Sequence, residues 1–318
     1  MAVYLLRRGG EGVIVLALVS VLVFALIGLM PGDPIDLLIS ADPDITSEDA
    51  ARLRALYGLD RPLYERYLAW LGDALRGDLG FSRLYSQRVT AILWAPLQNT
   101  VILMSLSLVL GLLVAIPLAL VAARRPHGPV DVTVNLLAFA GFSVPAFWLA
   151  LLLILLFAVT LGWLPAGGVH AVGDPSLESR LRHLVLPVLT LTVLNAGVYL
   201  RFTRGALLEV LNEDFMRTAR AKGLGLGQAL LRHALPNAML PLTTVVALHV
   251  GTLLSGALVV EVVFAYRGMG KLTYDAILAN DFNLAMAALL LATGLTLTCN
   301  ILADAVYSWL DPRVRYDD

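Results

Sequence analysis

Six stretches of this chain run for about 20 residues with few charges, the length a helix needs to cross a hydrocarbon layer roughly 30 Å thick. They are Gly12–Met30, Leu97–Ala123, Val134–Leu161, Leu184–Leu200, Ala238–Val263 and Leu284–Trp309. Composition agrees with a chain that faces lipid. Of the 318 residues, 58% are hydrophobic and 15% charged, and mean hydropathy is +0.79, against roughly 25% charged and 45–50% apolar for a soluble domain. The reading is an all-α integral membrane protein. The first run has a basic flank, Arg7 and Arg8, as a signal peptide would; its length and the lack of a small-x-small site before Pro31 favour a retained helix. Pro117, Pro145 and Pro187 fall inside the second, third and fourth runs, where they predict kinks and not breaks.

Charge places the ends. With the N-terminus inside, the inner side holds Arg7, Arg8, Arg124, Arg125, Arg201 and Arg204, followed by Arg217, Arg220, Lys222, Arg232, Arg313 and Arg315. The outer short loops hold only Arg180, Arg182, Arg267 and Lys271, so both termini are expected to be cytoplasmic. Trp163 and Trp309 then sit where interfacial aromatics sit. A net charge of −1 and a pI near 6.5 leave no basic excess for a nucleic-acid partner. Cys299 is the only cysteine, which excludes an intramolecular disulfide and a cysteine metal cluster. Only Lys222 and Lys271 among the 23 basic residues are lysine, a bias we attribute to genome composition.

The sequence divides into an N-terminus with the first span (1–30), an external loop (31–96), a membrane core (97–309) and a short tail (310–318). The external loop has its own helix code. Thr46 with Asp49 forms a capping-box pattern ahead of Ala50, Leu53 and Leu56, and Gly58 stops that run. Pro62 opens a second helix, with Leu63, Tyr67, Trp70, Leu71 and Ala74 on one face. This loop is expected to be a small helical cap, either a lid on the spans or a docking surface for an external partner.

The inner loop 201–236 is the most informative segment. Glu213 and Asp214 begin a run that ends on Arg217, Arg220 and Lys222 before Gly223, the order that complements a helix dipole and supplies a left-handed stop. Glu213 and Arg217 are spaced for an i,i+4 pair. The helix, about ten residues or roughly 15 Å long, is too short and polar to span. Gly223, Gly225 and Gly227 make a flexible corner, Gln228–Leu235 a second short helix, and Pro236 with Asn237 the turn into the fifth span.

Other chemistry is thin. YRGMGKLT (Tyr266–Thr273) misses a phosphate loop, since Ala265 stands at the first glycine and Leu272 follows Lys271; the chain is therefore not expected to hydrolyse ATP or to be an enzyme. His127, His170, His183, His233 and His249 have no ligand spacing, so no metal or cofactor is expected. Polar groups inside the spans are His249, Asn195, Asn300 and Asp304, and each is open to a structural or a pathway role. Gly251, Ser255 and Gly256 form a small-xxx-small arrangement suited to close helix packing.

The stretch RTARAKGLGLGQALLRHALPNAMLP (Arg217–Pro241) resembles the coupling loop, often called the EAA loop, of binding-protein-dependent ABC importer permeases. Gly223, Leu235 and Pro236 match that pattern and Ala219 holds its second alanine. Arg217 and Thr218 replace Glu and Ala, and His233 replaces a hydrophobic residue, departures like those of the peptide-permease branch. PGDP (Pro31–Pro34), LYGLDRPL (Leu56–Leu63), RGDLG (Arg76–Gly80), RHLVLP (Arg182–Pro187) and DPRVRY (Asp311–Tyr316) extend the resemblance along the chain. It implies a type I ABC importer permease fold with six transmembrane helices and an external cap, in a bacterial inner membrane. The implied partners are a second homologous permease, two cytoplasmic ATPase subunits that bind the ATP and Mg, and an external substrate-binding protein. The implied coupling residues are Asp214, Arg217, Thr218, Ala219, Arg220, Lys222, Gly223, Leu224 and Gly227. The fifth helix would border the pathway, which adds His249, Ser255, Gly256 and Asn300 as pathway candidates. Peptide uptake is the function implied; nickel chelates, glutathione or some sugars are alternative cargoes within the same architecture. A gradient-driven secondary transporter is the rival class, but inverted repeats are not seen.

Overall fold

The computed structural model describes residues 2–29, 46, 49, 52 and 61–310; the side chains of 2–6, 247–256, 303–304 and 306–310 lie outside that description. Among the described residues the elements are α1 (Ala2–Gly28), α2 (Leu63–Leu75), strands β1 (Phe81–Ser82) and β2 (Gln87–Arg88), and α3 (Val89–Ala123). They continue with α4 (Pro129–Ser143), α5 (Ala146–Leu153) widening into a π-helical segment Ile154–Thr160, and α6 (Leu177–Leu211). Then come α7 (Asp214–Ala221), α8 (Leu226–Ala229), a π turn Leu230–Ala234, α9 (Leu235–Val263), α10 (Met269–Leu278) and α11 (Phe282–Leu310). The PGDP motif, the cap helix expected after Ala50 and the tail with DPRVRY lie outside the described residues.

Helices α1, α3, α6 and the Phe282–Leu302 part of α11 are each long and apolar enough to span, and α4 with α5, bent at their junction, are so only when taken as one pair. Helix α9 is a continuous 29-residue helix over the fifth apolar run, about 43 Å at 1.5 Å per residue. Contacts between the spans fix their directions. Gly12 of α1 lies beside Leu297 of α11, Asp131 at the start of α4 pairs with Arg204 late in α6, and Gly168 N donates to Phe264 O after α9. One end of the bundle therefore carries the segment 212–234, shorter than the expected loop 201–236 because α6 runs on to Leu211 and α9 starts at Leu235, and is here the basic end; the opposite end carries the loops around 81–88, 161–176 and 264–281.

Packing differs along the bundle. At the basic end the core is built from alanines, Ala119, Ala123, Ala206, Ala229, Ala234 and Ala238, around Leu207 and Leu230. Small side chains let helices approach closely where lipid supplies no hydrophobic drive. Midway, Gly197 of α6 has no room for a Cβ, which would stand 2.5 Å from Ala138 O of α4. At the opposite end Ile27, Val89, Met269 and Leu284 cluster with Ala285 and Ala288.

Four local expectations change. Pro145 breaks the third span instead of kinking it, and α4 and α5 meet at 100°. Val144 precedes a proline and is pushed out of helical geometry to φ −77, ψ 131, while Pro145 is itself extended at ψ 135. Pro117 and Pro187 do stay inside continuous helices. The second span starts at Val89, with Pro96 inside it, because the hairpin of β1 and β2, unforeseen in an all-α reading, delivers Arg88 in extended geometry. Finally, no turn forms at Pro236. The π turn widens the helix ahead of the proline, which lacks an N–H and would crowd an α-helical carbonyl, and Asn237 Nδ2 donates to His233 O at 2.7 Å.

Between α1 and α2, Thr46 and Asp49 bond reciprocally: Thr46 Oγ1 donates to Asp49 Oδ2 at 2.6 Å and Asp49 N donates back at 3.2 Å. The threonine hydrogen bond holds the Asp49 carboxyl below its ordinary pKa. Helix α2 lies on α1, where Tyr67 hydrogen-bonds Ser20 at 2.8 Å and packs edge-on to Phe24.

Candidate functional site

Helix α7 carries the exposed polar side chains that the sequence singles out as coupling candidates. Its inner face is apolar: Met216 is 1% exposed and Ala219 8%, and Met216 belongs to the chain's own core. Its outer face carries Asp214, Arg217, Thr218, Arg220 and Lys222, all exposed. Asp214 in the first turn and Arg220 in the last complement the helix dipole. The end is a Schellman motif, in which Gly223 takes φ +89, its N–H reaches Arg220 O at 3.0 Å, and Leu224 N reaches Ala219 O at 3.3 Å. A side chain at 223 would meet no neighbour within 4 Å, so the backbone angle alone asks for glycine.

Two details depart from expectation. Arg217 pairs with Asp214 at 3.3 Å instead of with Glu213, which sits outside the helix in extended geometry. Ala219 is buried, so it is turned away from the surface a partner would meet. Leu224 is half-buried, and Gly227, within α8, comes near the Arg124 guanidinium, 3.8 Å from a built Cβ.

At the opposite end the structure assembles polar groups that the sequence reading passed over. Glu261, in the last turn of α9, is fully buried; Thr100 Oγ1 of α3 donates to its Oε1 and Lys271 N to its Oε2 at 3.1 Å. Thr100 in turn accepts from Met269 N at 2.8 Å. The carboxylate thus occupies the N-terminus of α10, where free N–H groups and the dipole favour an anion. This explains YRGMGKLT: Gly268 is glycine because a Cβ there would stand 2.1 Å from Glu261 Oε1. Tyr266 in the same turn donates to Asn99 O at 3.3 Å, and burial, then the Glu261 carboxylate, push its hydroxyl above the ordinary tyrosine range. Asp281, also buried, caps α11 through Leu284 N and accepts from Ser82 Oγ at 2.6 Å and Leu84 N at 3.0 Å, which anchors the hairpin. An acid within the last turn of an apolar run was a readable signal for Glu261; Asp281 had none.

A third polar centre joins α4 to α6 at the basic end. Arg204 Nε and Nη2 donate to the two carboxylate oxygens of Asp131, which also accepts from His127 N at 2.8 Å and Asn135 Nδ2 at 2.7 Å. The pathway candidates are scattered. Asn300 is half-buried on α11, and Asn195 is buried on α6 with no partner for its Nδ2 among the described residues. His249, Ser255 and Gly256 lie on α9, but their side chains, like that of Asp304, lie outside the description. Among the described residues no group of three metal-ligating side chains occurs.

Comparison with known proteins places this architecture. The family model described as binding-protein-dependent transport system inner membrane component matches residues 115–316, and the model for the N-terminal part of the same components matches residues 1–83. The oligopeptide transport system permease protein AppB of Bacillus subtilis is 36% identical over 99% of this chain and 100% of its own length. A putative peptide permease protein of Brucella suis is 38% identical over 98% of each chain. The di/tripeptide transport system permease protein DppB of Pseudomonas aeruginosa is 36% identical over 94% of each. Among solved structures, an inward-facing MetNI methionine ABC transporter chain superposes with a TM-score of 0.58 at 19% identity, covering 70% of this chain and 97% of that one. A span pattern broken at Pro145, a short polar helix closed by Gly223, and these matches lead to one assignment: the chain belongs to the binding-protein-dependent transport system inner membrane components and has the type I ABC importer permease fold.

Proposed function

We propose that the chain is one of two membrane subunits of a peptide importer, working with a second homologous permease, two ATPase subunits and an external binding protein. The basic end then faces the cytoplasm, with both termini, and residues 31–96 form the external cap that receives the binding protein. The observation that carries the reading is α7, a polar helix whose exposed side chains bond, among the described residues, only within the helix itself, and whose Met216 is buried in a cluster shared with α3, α6 and α9. Asp214 to Gly227 docks in a cleft of the ATPase, with Arg217, Thr218, Arg220 and Lys222 as contacts. Met216 shares one close-packed cluster with Leu207 of α6, Ala123 of α3, Ala234 of the π turn and Ala238 of α9. Close-packed interfaces of this kind switch between discrete arrangements instead of deforming smoothly, so a displacement of α7 moves the three helices as a unit. ATP and Mg stay in the partner subunits, and this chain does no hydrolysis. Peptide cargo rests on the relatives; nickel chelates or glutathione in the same pathway are the alternative.

The test is mass spectrometry of what co-purifies with the tagged chain in mild detergent, wild type beside Gly223→Pro. Co-purification of an ATPase and a second permease with the wild type, and loss of the ATPase alone from the variant, is the expected result. A chain that purifies alone in both cases would sink the importer reading in favour of a secondary transporter.

A further inference from the structure

At the basic end, between α4 and α6, a cleft of about 420 Å³ opens beside the Asp131–Arg204 pair. Its two walls differ in chemistry. One is the outward face of α4, where Val132, Leu136 and Phe139 are 50%, 64% and 60% exposed. The other carries cations. Arg204 is neutralised by Asp131, whose side chain is 3% exposed and so presents almost no negative charge to the cleft. Arg201 has no carboxylate partner among the described residues; its guanidinium instead lies 5.3 Å and 5.5 Å from the ring centres of Phe142 and Phe202, a placement that holds the cation without quenching it. His127, in the loop entering α4, also lines the cleft.

We propose that this cleft binds one anionic phospholipid, its phosphate on Arg201 and an acyl chain along Val132, Leu136 and Phe139. A free phosphate would satisfy the cation but make no use of the apolar wall, and a neutral lipid would leave Arg201 without a counter-charge. Arg suits the head group because its planar fork pairs two phosphate oxygens. Asp131 is the positioning residue: by drawing Arg204 inward it ties the two walls together and leaves Arg201 as the recognising cation. The inference needs the chain to be in a bilayer and is independent of cargo and of the orientation assigned above.

The experiment uses the assembled transporter in nanodiscs of equal phosphatidylglycerol and phosphatidylcholine, followed by detergent extraction and mass spectrometry of retained lipid. The expected result is phosphatidylglycerol enriched in the wild type, with the enrichment cut about fivefold in Arg201→Ala, equivalent to the roughly 1 kcal/mol of one cation at an anionic surface. Arg201→Lys keeps the charge and loses the fork, and is expected to fall between. Equal retention in wild type and Arg201→Ala overturns the proposal. Displacement of the lipid by millimolar inorganic phosphate overturns it in favour of a free-anion site. A Leu136→Cys thiol, in a Cys299→Ser background, that resists a lipid-soluble maleimide only in the assembled transporter also overturns it, since a protein subunit would then fill the cleft.

Discussion

Asp131→Ala tests whether the bundle is held at its basic end by one buried ion pair. The pair has two parallel charge-assisted bonds, side-chain exposures of 18% for Arg204 and 3% for Asp131, and extra donors from His127 N and Asn135. Breaking a buried pair by removing one partner costs about 3–5 kcal/mol, because the other charge is left uncompensated. Arg204 keeps some access to water, so we take the lower end, about 3 kcal/mol, for either single substitution. Removing both partners leaves no stranded charge, so the double variant should lose no more than either single one, at most about 3 kcal/mol and well short of the sum. The assay is equilibrium unfolding of the full chain in mixed detergent micelles, as a double-mutant cycle. The control is the Asp214–Arg217 pair, with side chains 93% and 76% exposed, where Asp214→Ala should change stability by no more than about 0.5 kcal/mol. Additivity of the two core substitutions to within about 0.5 kcal/mol would refute the reasoning and reduce the pair to two independent contacts.

Gly223→Ala should cost about 1–2 kcal/mol through its left-handed backbone alone and lower ATP-driven uptake in proteoliposomes while the chain still inserts; unchanged uptake would remove the helix end from coupling. Gly268→Ala forces a methyl against the Glu261 carboxylate and should destabilise by about 2–4 kcal/mol on the same unfolding assay, whereas Gly205→Ala, which meets nothing within 4 Å, should be neutral or stabilising. Asp281→Ala frees Ser82 and Leu84, and limited proteolysis between Leu84 and Gln87 should accelerate in the variant; an unchanged cleavage rate would mean that the hairpin holds without its anchor. Ser255→Trp should block transport without preventing assembly, and normal uptake by it would take α9 out of the pathway.

What could be read from the chain was whatever repeats over one or two turns of helix. Apolar runs of about 20 residues located the spans, and the sequence of acids, bases and glycine from Glu213 to Gly223 located a short helix and its stop, because backbone angles and dipoles are set by near neighbours. The reciprocal Thr46–Asp49 box belongs to the same class. The bend at Pro145 lay at the margin: proline declared that the helix is disturbed there, but a kink and a 100° break differ only in what α6 and α9 pack against. The polar centres were out of reach for a different reason. Asp131 and Arg204 are 73 residues apart, Thr100 and Glu261 161, and Ser82 and Asp281 199, and no local periodicity encodes which buried carboxylate meets which donor. Tertiary packing also turned Ala219 inward and left Arg217 and Thr218 outward, since the side of α7 that faces water depends on how α6 and α9 close behind it.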